Sequence, residues 1–388
     1  MAGKGSSIVA LDYNNIYNKI APIMGPGSGN TGYNQSLNSA TVPVTRTIIS
    51  AAQWSNLRTD LLHARQHQTG LDESGKLTDP SPTCTFTGTL VGNTLTITIV
   101  TAGVVKVGYR VTGSGVPATT MITAFGTGSG TTGTYSVSTT TVNTGSISMT
   151  AVGAVVIYED DRAAYSTFAD LIVTNKLAIP PSSQASTETY LLATTSTGWN
   201  SSVSLTLVLT FADSATCRSF FNAGGYFQFS ASLAPDVTNL KNTSWKTMLA
   251  NMGTITINHN STTMTGTGVP TSAKGFYQLT TTPTLMFQKL TETATYTPNQ
   301  LDINAYVDNA TTPKILTFSI QFLDLATYTN TTTFPVFGGG SVGPFGIDEN
   351  VTGLLTCLVQ AYRPSGTNVS VVAPTITKSS TGTGWTLT

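Results

Sequence analysis

The sequence predicts a mainly β protein with a helical N-terminal domain (α+β), a β-sandwich-like C-terminal region and an inserted small β module. Three observations carry that prediction. The 388 residues include 73 Thr, 36 Ser and 36 Gly, and only 9% are charged, where an ordinary globular chain has about 25%. Thr is β-branched and suits a pleated, half-buried surface. Many short runs alternate apolar and polar with period two, while most apolar residues at helical spacing fall before residue 80 or just after 150.

The elements follow in order. Val9, Tyr13, Ile16 and Ile20 make the apolar stripe of a first helix, with Ser6 or Ser7 as its cap. Gly25, Pro26, Gly29 and Gly32 then break the chain. Ser50 and Gln53 form a capping box for a second helix, on which Trp54, Leu57 and Leu61 share a face. It is expected to end near Gln68-Thr69-Gly70, with Gly70 as C-cap. In residues 80–150 only Lys106 and Arg110 are charged. Strands are expected at Thr94–Ile99, Val104–Val111, Gly133–Val137 and Ser146–Thr150, with glycine turns between them. After a strand-like Val155–Tyr158, the acidic run Glu159-Asp160-Asp161 suits a helix start, and Ala164, Phe168, Leu171 and Ile172 give its stripe, ending near Asn175. Helical character resumes past the module. Residues 1–79 plus 151–180 are therefore assigned to one docking or oligomerisation domain, 80–150 to an insertion and 185–388 to the sandwich-like region. Ile179–Ser183 is the linker.

In that last region Val203, Leu205, Leu207, Leu209 and Phe211 alternate. Tyr226–Ser230, Phe276–Thr281, Thr284–Leu290, Ile315–Phe322 and Leu354–Tyr362 are also expected to be strands. One helix, capped by Asn242 or Thr243, carries Trp245, Met248, Leu249 and Met252. Gly338-Gly339-Gly340, followed by Pro344 and Gly346, is expected to be a loop.

Eighteen cationic residues balance eighteen acidic ones. A neutral chain is a poor match for the phosphates of a nucleic acid. No run of 18 apolar residues offers a membrane span. Met1–Asn15 has the features of no secretory signal. Cys84, Cys217 and Cys357 are odd in number and far apart, which suits small buried hydrophobes better than a disulfide framework. A surface of the kind common outside cells, without export or disulfides, fits release by lysis in a virus particle.

Three sets of segments resemble structural proteins of tailed bacteriophages, particularly marine cyanophages. The first runs from Asp12-Tyr13-Asn14-Asn15-Ile16 through Gly27–Gln35, Ile49–Asp60 and His67-Gln68-Thr69-Gly70. The second is Phe220–Gly225, then Asn242–Trp245 and Gly275-Phe276-Tyr277. Both are similar to a virion family described as fibre-like or neck- and tail-associated. In the module, Gly88-Thr89-Leu90, Thr94-Leu95-Thr96, Gly113–Val116 and Gly133–Ser138 resemble a small β module recurring in phage fibres. The resemblance implies a non-enzymatic, oligomeric assembly protein, with a trimer favoured. The insertion departs from the usual family form.

Chemical motifs are sparse. His63 and His67 share a helix face at i, i+4, and Asp72 or Glu73 would have to complete a metal site. A polar helix end packed on a neighbour is the plainer reading. His259, between Asn258 and Asn260, is expected on a loop surface. Glu159-Asp160-Asp161 is better explained by the helix dipole than by acid–base chemistry. Asp348-Glu349-Asn350 is a weak calcium candidate. Gly339–Gly343 fits a nucleophile elbow by spacing, but Pro344 follows and no His lies beyond His259. Gly70–Lys76 fits most of a phosphate loop, but Leu77 stands where Ser or Thr belongs and no strand precedes Gly70. Gly126–Gly130 lacks a Lys and is read as turns. Trp199, Trp245, Trp385 and the fourteen tyrosines suit cores or interfaces first and sugar platforms second.

No catalytic, cofactor-binding or metal residue is assigned, and no cofactor is expected. The expected function is a non-enzymatic structural component of a tailed-phage virion, in the tail, neck or fibre. It would be assembled in the host cytoplasm as a symmetric oligomer and released by lysis. Expected partners are other copies of the chain, virion proteins of tail, neck or capsid, and a host surface glycan. Nucleic acid and membrane are not among them. A surface adhesin, a carbohydrate-binding module and a capsid decoration protein are the alternatives.

Overall fold

Thr-rich alternation becomes strand pairing, and every pair among the described residues is antiparallel. The computed structural model describes residues 9–44, 49–139, 142–153, 157, 159–176, 185–270, 273–326, 329–336, 340–366 and 368–388, with backbone alone for residues 142, 143, 159, 329–336 and 340–348. Ser6, Ser7, Val155, Val156, Tyr158, the 179–183 linker, Gly338 and Gly339 lie outside the described residues. The chain divides into two compact units. One holds residues 1–20, 37–65 and 71–173, the other 21–36, 66–70 and 174–388.

Helix α1 (Ala10–Met24), whose residues up to Ile20 belong to the first unit, starts where Asp12 accepts the Val9 amide at 3.1 Å. The acid thus sits at the positive end of the helix. Tyr13, Ile16 and Ile20 are buried as expected, but Val9 precedes the helix and is 51% exposed. Helix α2 (Ala51–Thr69) realises the capping box. Ser50 N donates to Gln53 Oε1 at 2.8 Å, and Gln53 N to Ser50 Oγ at 3.2 Å. Trp54 meets Tyr13 and Tyr165 edge to face, with centroids 5.4 and 5.1 Å apart. Tyr165 belongs to α3 (Glu159–Thr174). Its buried stripe is Tyr165, Phe168, Ala169 and Ile172, at i, i+3, i+4 and i+7. Leu171, expected on that stripe, lies on its flank and is 40% exposed.

The loop between α1 and α2 is held by one carboxylate. Asp60, on α2 and wholly buried, accepts from Asn38 N (2.9 and 3.1 Å), Asn38 Nδ2 (2.7 Å), Ser39 N (2.8 Å) and Ser39 Oγ (2.5 Å). Burial, and then the Asp60 charge, push the Tyr13 hydroxyl up to about 12.

The same unit contains a seven-stranded sheet: β1 (Thr83–Gly92), β2 (Thr94–Ala102), β3 (Arg110–Gly113), β4 (Ile122–Phe125), β5 (Gly133–Val137), β6 (Val142–Asn143) and β7 (Ile147–Val152). The order is β3-β7-β1-β2-β5-β4, with β6 also on β1. Phe86, Leu90, Leu95, Ile97, Val111, Tyr135 and Met149 share one core. Ile99, on the same sequence parity as Leu95 and Ile97, is 59% exposed. Gly88 pairs Ile97 while Thr87 pairs Ile99, so β2 carries one extra residue and the following side chains change face. Val104–Val111 is not one strand. The chain turns at Gly108 (φ 87°), and pairing begins at Arg110.

The second unit holds two six-stranded sheets. One runs β12 (Thr262–Met264), β11 (Ile255–Ile257), β10 (Tyr226–Ala234), β19 (Leu354–Pro364), β8 (Ala185–Thr195), β21 (Trp385–Leu387). The other runs β13 (Val269–Pro270), β14 (Thr284–Leu290), β15 (Gln300–Val307), β16 (Ile315–Leu323), β9 (Ser202–Thr210), β20 (Thr375–Thr381). Their inner faces make a sandwich core. Val203, Leu205, Leu207 and Leu209 of β9 are buried, and Phe227 and Phe229 of β10 pack edge-on to Phe318 of β16 at 5.1 and 4.9 Å. A separate hairpin joins β17 (Thr329–Val336) and β18 (Gly340–Asp348). Pro344 and Gly346 therefore lie in a strand, where a loop was expected.

Two helices interrupt the sandwich. The sequence reading missed α4 (Ser214–Asn222), capped by Asp213, which accepts from Thr216 N at 2.7 Å. Helix α5 (Leu240–Met252) starts earlier than expected. Its cap is Asn239, which accepts from Asn242 N at 2.6 Å, so Asn242 lies in the first turn. Trp245, Met248, Leu249 and Met252 are buried as expected. Phe276–Thr281 is not a strand. Gln278 Oε1 accepts from Gly275 N at 2.8 Å and closes a short 3-10 turn at Phe276–Gln278.

Glu188 of β8 and Arg363 of β19 pair by two parallel bonds, 3.1 Å to Nε and 2.8 Å to Nη2. Burial pushes the Glu188 carboxyl up, but bonds from Arg363 and Tyr190 outweigh it and hold it below the usual range. A depressed carboxyl contributes stability above its unfolded pKa of about 4.3 and loses it as pH falls through the folded value. Glu188→Gln is expected to cost about 1 kcal/mol at pH 7, the pair being partly solvent-screened, and almost nothing at pH 3. Urea denaturation at both pH values checks this. An equal deficit at both would rule out the ion pair as its source.

Candidate functional site

Glycines at 25, 27, 29 and 32 let the chain reverse after α1. The returning segment meets the helix end: Tyr33 N donates to Ile23 O (2.7 Å), Asn34 N to Gly25 O (2.9 Å) and Gln35 N to Met24 O (2.8 Å). These bonds satisfy carbonyls that a helix end leaves open. Gly32 (φ 105°) must be glycine, because a Cβ there would lie 2.6 Å from Pro26 O.

Three other sequence segments converge on this reversal. Asn222, at the end of α4 and buried, donates through Nδ2 to Gly29 O and Gly32 O, both at 3.1 Å. The Tyr277 hydroxyl lies 2.6 Å from Gly29 O and 2.5 Å from Asn222 Oδ1. Burial pushes that hydroxyl well up, so it remains a donor. His67 Nε2 is 2.9 Å from Ala223 O, and a carbonyl only accepts, so Nε2 carries the proton. Gln68 Nε2 donates to Tyr33 Oη at 3.0 Å, and the Tyr33 ring tilts against His67 at 5.3 Å. Phe221 and Phe276 stack at 4.1 Å. Gly275 is required by closeness, since a Cβ would lie 2.5 Å from both Asn260 N and Ser261 N.

Beside this joint lies a cleft of about 150 Å³, lined among others by Gly29, Arg218, Phe276, Tyr277, Val307 and Thr311. The half-buried Arg218 donates to Thr311 O. The lining offers one guanidinium, one phenol and apolar ring faces.

The residues weighed from sequence are placed as follows. His67 is a buried helix-end side chain, while His63, four residues before it, is half-buried. Glu73 is held by Lys76 at 2.6 Å and Arg65 at 3.0 Å, bonds that keep its carboxyl below the usual range despite burial. Gly70 (φ 72°) ends α2, and Lys76 faces Glu73, so this segment is a helix stop and a turn. Asp161 accepts from Thr78 Oγ1 at 2.5 Å. His259 lies in the expected loop, between β11 and β12, but is half-buried there, and burial pushes its pKa down. Ser341 and Gly343 lie within β18, with no strand-to-helix turn between them. Cys84, Cys217 and Cys357 are free and buried, as expected, and burial pushes the Cys357 thiol up to about 12. Trp199 and Trp245 are buried and pack edge to face at 4.9 Å. Among the described residues no three His, Cys, Asp or Glu side chains are grouped to hold a metal ion, and no helix is long and apolar enough to cross a membrane.

Asn222 and Tyr277 lie in segments that resemble virion proteins, but no role for either was legible from sequence. The available signal was the clustering of glycine with Asn and aromatic residues in widely separated segments. Comparison with protein-family models, characterised proteins and solved structures gives no match for this chain.

Proposed function

We propose that the chain is a non-enzymatic structural component of a tailed-phage virion, in the tail, neck or fibre, assembled as a symmetric homo-oligomer with a trimer favoured. One observation carries the reading. Four of the segments that resemble virion proteins, Gly27–Gln35, His67–Gly70, Phe220–Gly225 and Gly275–Tyr277, meet in a joint whose polar side chains are spent on backbone carbonyls and on each other. Such a joint shapes a scaffold. Its partners would be copies of itself and neighbouring tail, neck or capsid proteins. With charge at 9% of residues, these contacts would rest on shape and on Thr, Asn and Gln hydrogen bonds.

The test is made on purified particles. The chain is expected in them, and expected to stay bound through a wash at about 1 M NaCl, where the screening length is about 3 Å. Its presence on intact host cells and absence from particles would favour the adhesin reading instead. The cleft beside Gly29 supports a host glycan as a further partner, since Arg218 with aromatic faces suits an acidic sugar. Binding of host polysaccharide to the purified chain checks that part, and no binding would remove it.

A further inference from the structure

Two opposite charges lie wholly out of water in the sandwich. Lys241 is in the first turn of α5 and Asp324 directly follows β16. Neither side chain has exposed surface, and Nζ is 2.7 Å from Asp324 Oδ2. Burying such a pair is costly, and an apolar pair of similar volume often stabilises as well. The setting is aromatic. Trp245, one turn along α5, packs on Trp199 and lies 6.4 Å from Phe322 near the end of β16.

Hydrogen bonds tie the segment of a third carboxyl, Glu349, to both partners of the pair. Glu349 accepts from the buried Tyr296 hydroxyl at 3.2 Å. Asn299 links that turn to the Asp324 segment, bonding Tyr296 O through its amide (2.8 Å) and accepting from Ala326 N (2.7 Å). Asn242, next to Lys241, links to the segment after Glu349, accepting from Thr352 N at 2.8 Å and donating to Thr352 Oγ1 at 2.9 Å. Amine and carboxyl are thus held side by side in a dry enclosure, the arrangement in which proximity accelerates a condensation most.

We infer that Lys241 and Asp324 condense to an intramolecular amide, tying the start of α5 to the end of β16. In the first step a proton passes from Nζ to Oδ2 along the existing bond, giving the neutral amine and acid. The amine lone pair attacks Cγ, a C–N bond forms, and the carbonyl π pair moves onto oxygen. A second proton leaves nitrogen for the hydroxyl oxygen, with the Glu349 carboxyl as relay. The C–O bond then breaks, its electron pair leaves with water, and the carbonyl re-forms. Two nitrogen-derived hydrogens, one of which had protonated Oδ2, and one carboxyl oxygen make the water, and nothing is oxidised or reduced. The link closes a long loop of chain and restricts the unfolded ensemble, as other covalent cross-links do.

The wild-type full chain provides the test, independently of the virion reading. Its intact mass is expected to fall one water short of the sequence mass, and a protease digest to contain a branched peptide joining Lys241 to Asp324. Lys241→Arg keeps the charge without forming the link, and is expected to restore the full mass. Asp324→Asn is expected to lose ammonia and give a product of wild-type mass. Full mass in the wild type, with Lys241 and Asp324 in separate linear peptides, overturns the proposal. That reading needs no variant to fold.

Discussion

Replacing Asp60 with alanine is expected to lower the unfolding free energy of the first unit by about 3–5 kcal/mol. Two oxygens of a wholly buried carboxylate gather donors from Asn38 and Ser39, backbone and side chain alike. Charge-assisted bonds of this kind are about twice as strong as neutral ones. Truncation leaves those donors without their acceptor in a place water does not reach, and each orphaned group costs about 1–3 kcal/mol. The loss falls short of their sum because the loop before α2 can relax. A denaturant titration should show a lower midpoint at unchanged slope. Hydrogen exchange should show the Asn38 and Ser39 amides losing protection first. A change under about 1 kcal/mol, with both amides still protected, would mean that Leu57 and Leu61 packing holds this loop and the carboxylate does not.

Some of this architecture was legible because its causes are local. The Ser50–Gln53 box spans four residues, and both of its bonds form. The alternation from Val203 to Phe211 needed only period two, and all five side chains are buried. Errors arose where a local pattern had two outcomes. Asn239 and Asn242 are both competent caps, and the chain uses Asn239 while burying Asn242 against Thr352, 110 residues away. Phe276–Thr281 has strand composition, yet Phe276 is drawn onto Phe221 and Gln278 turns the backbone. Ile99 left its face because of a bulge that only pairing with β1 creates. Helix α4 had a readable cap in Asp213 but was short enough to be passed over. The candidate site was least legible, since its members at Gly29, His67, Asn222 and Tyr277 meet only through long-range contacts. Spacing along a chain carries no information about such a meeting.

Asn222→Leu is expected to cost the second unit about 2–4 kcal/mol. The substitution keeps the number and branching of side-chain heavy atoms, so no cavity is opened and the loss reports the missing hydrogen bonds together with the added bulk of two methyl groups. Two Nδ2 bonds disappear, to Gly29 O and Gly32 O, and the Tyr277 hydroxyl loses Oδ1. Gly29 O keeps Tyr277 as donor, whereas Gly32 O loses the Asn222 bond outright. With Asn222 gone, the reversal at residues 25–36 is anchored less firmly, and limited proteolysis should cut there sooner. Asn222→Asp separates geometry from donor capacity. At pH 7 its carboxylate would face two carbonyl oxygens with nothing to donate, so the folded state raises its pKa above the unfolded value of about 3.9. A raised carboxyl gives stability that is present below the unfolded pKa and lost as pH rises through the folded one. The Asp variant should therefore be destabilised at pH 7 and recover part of its deficit as pH falls toward 4, while the Leu variant shows no such recovery. Equal deficits for the two at every pH would show that Asn222 acts by shape, and the joint would then rest on the Phe221–Phe276 stack and its required glycines.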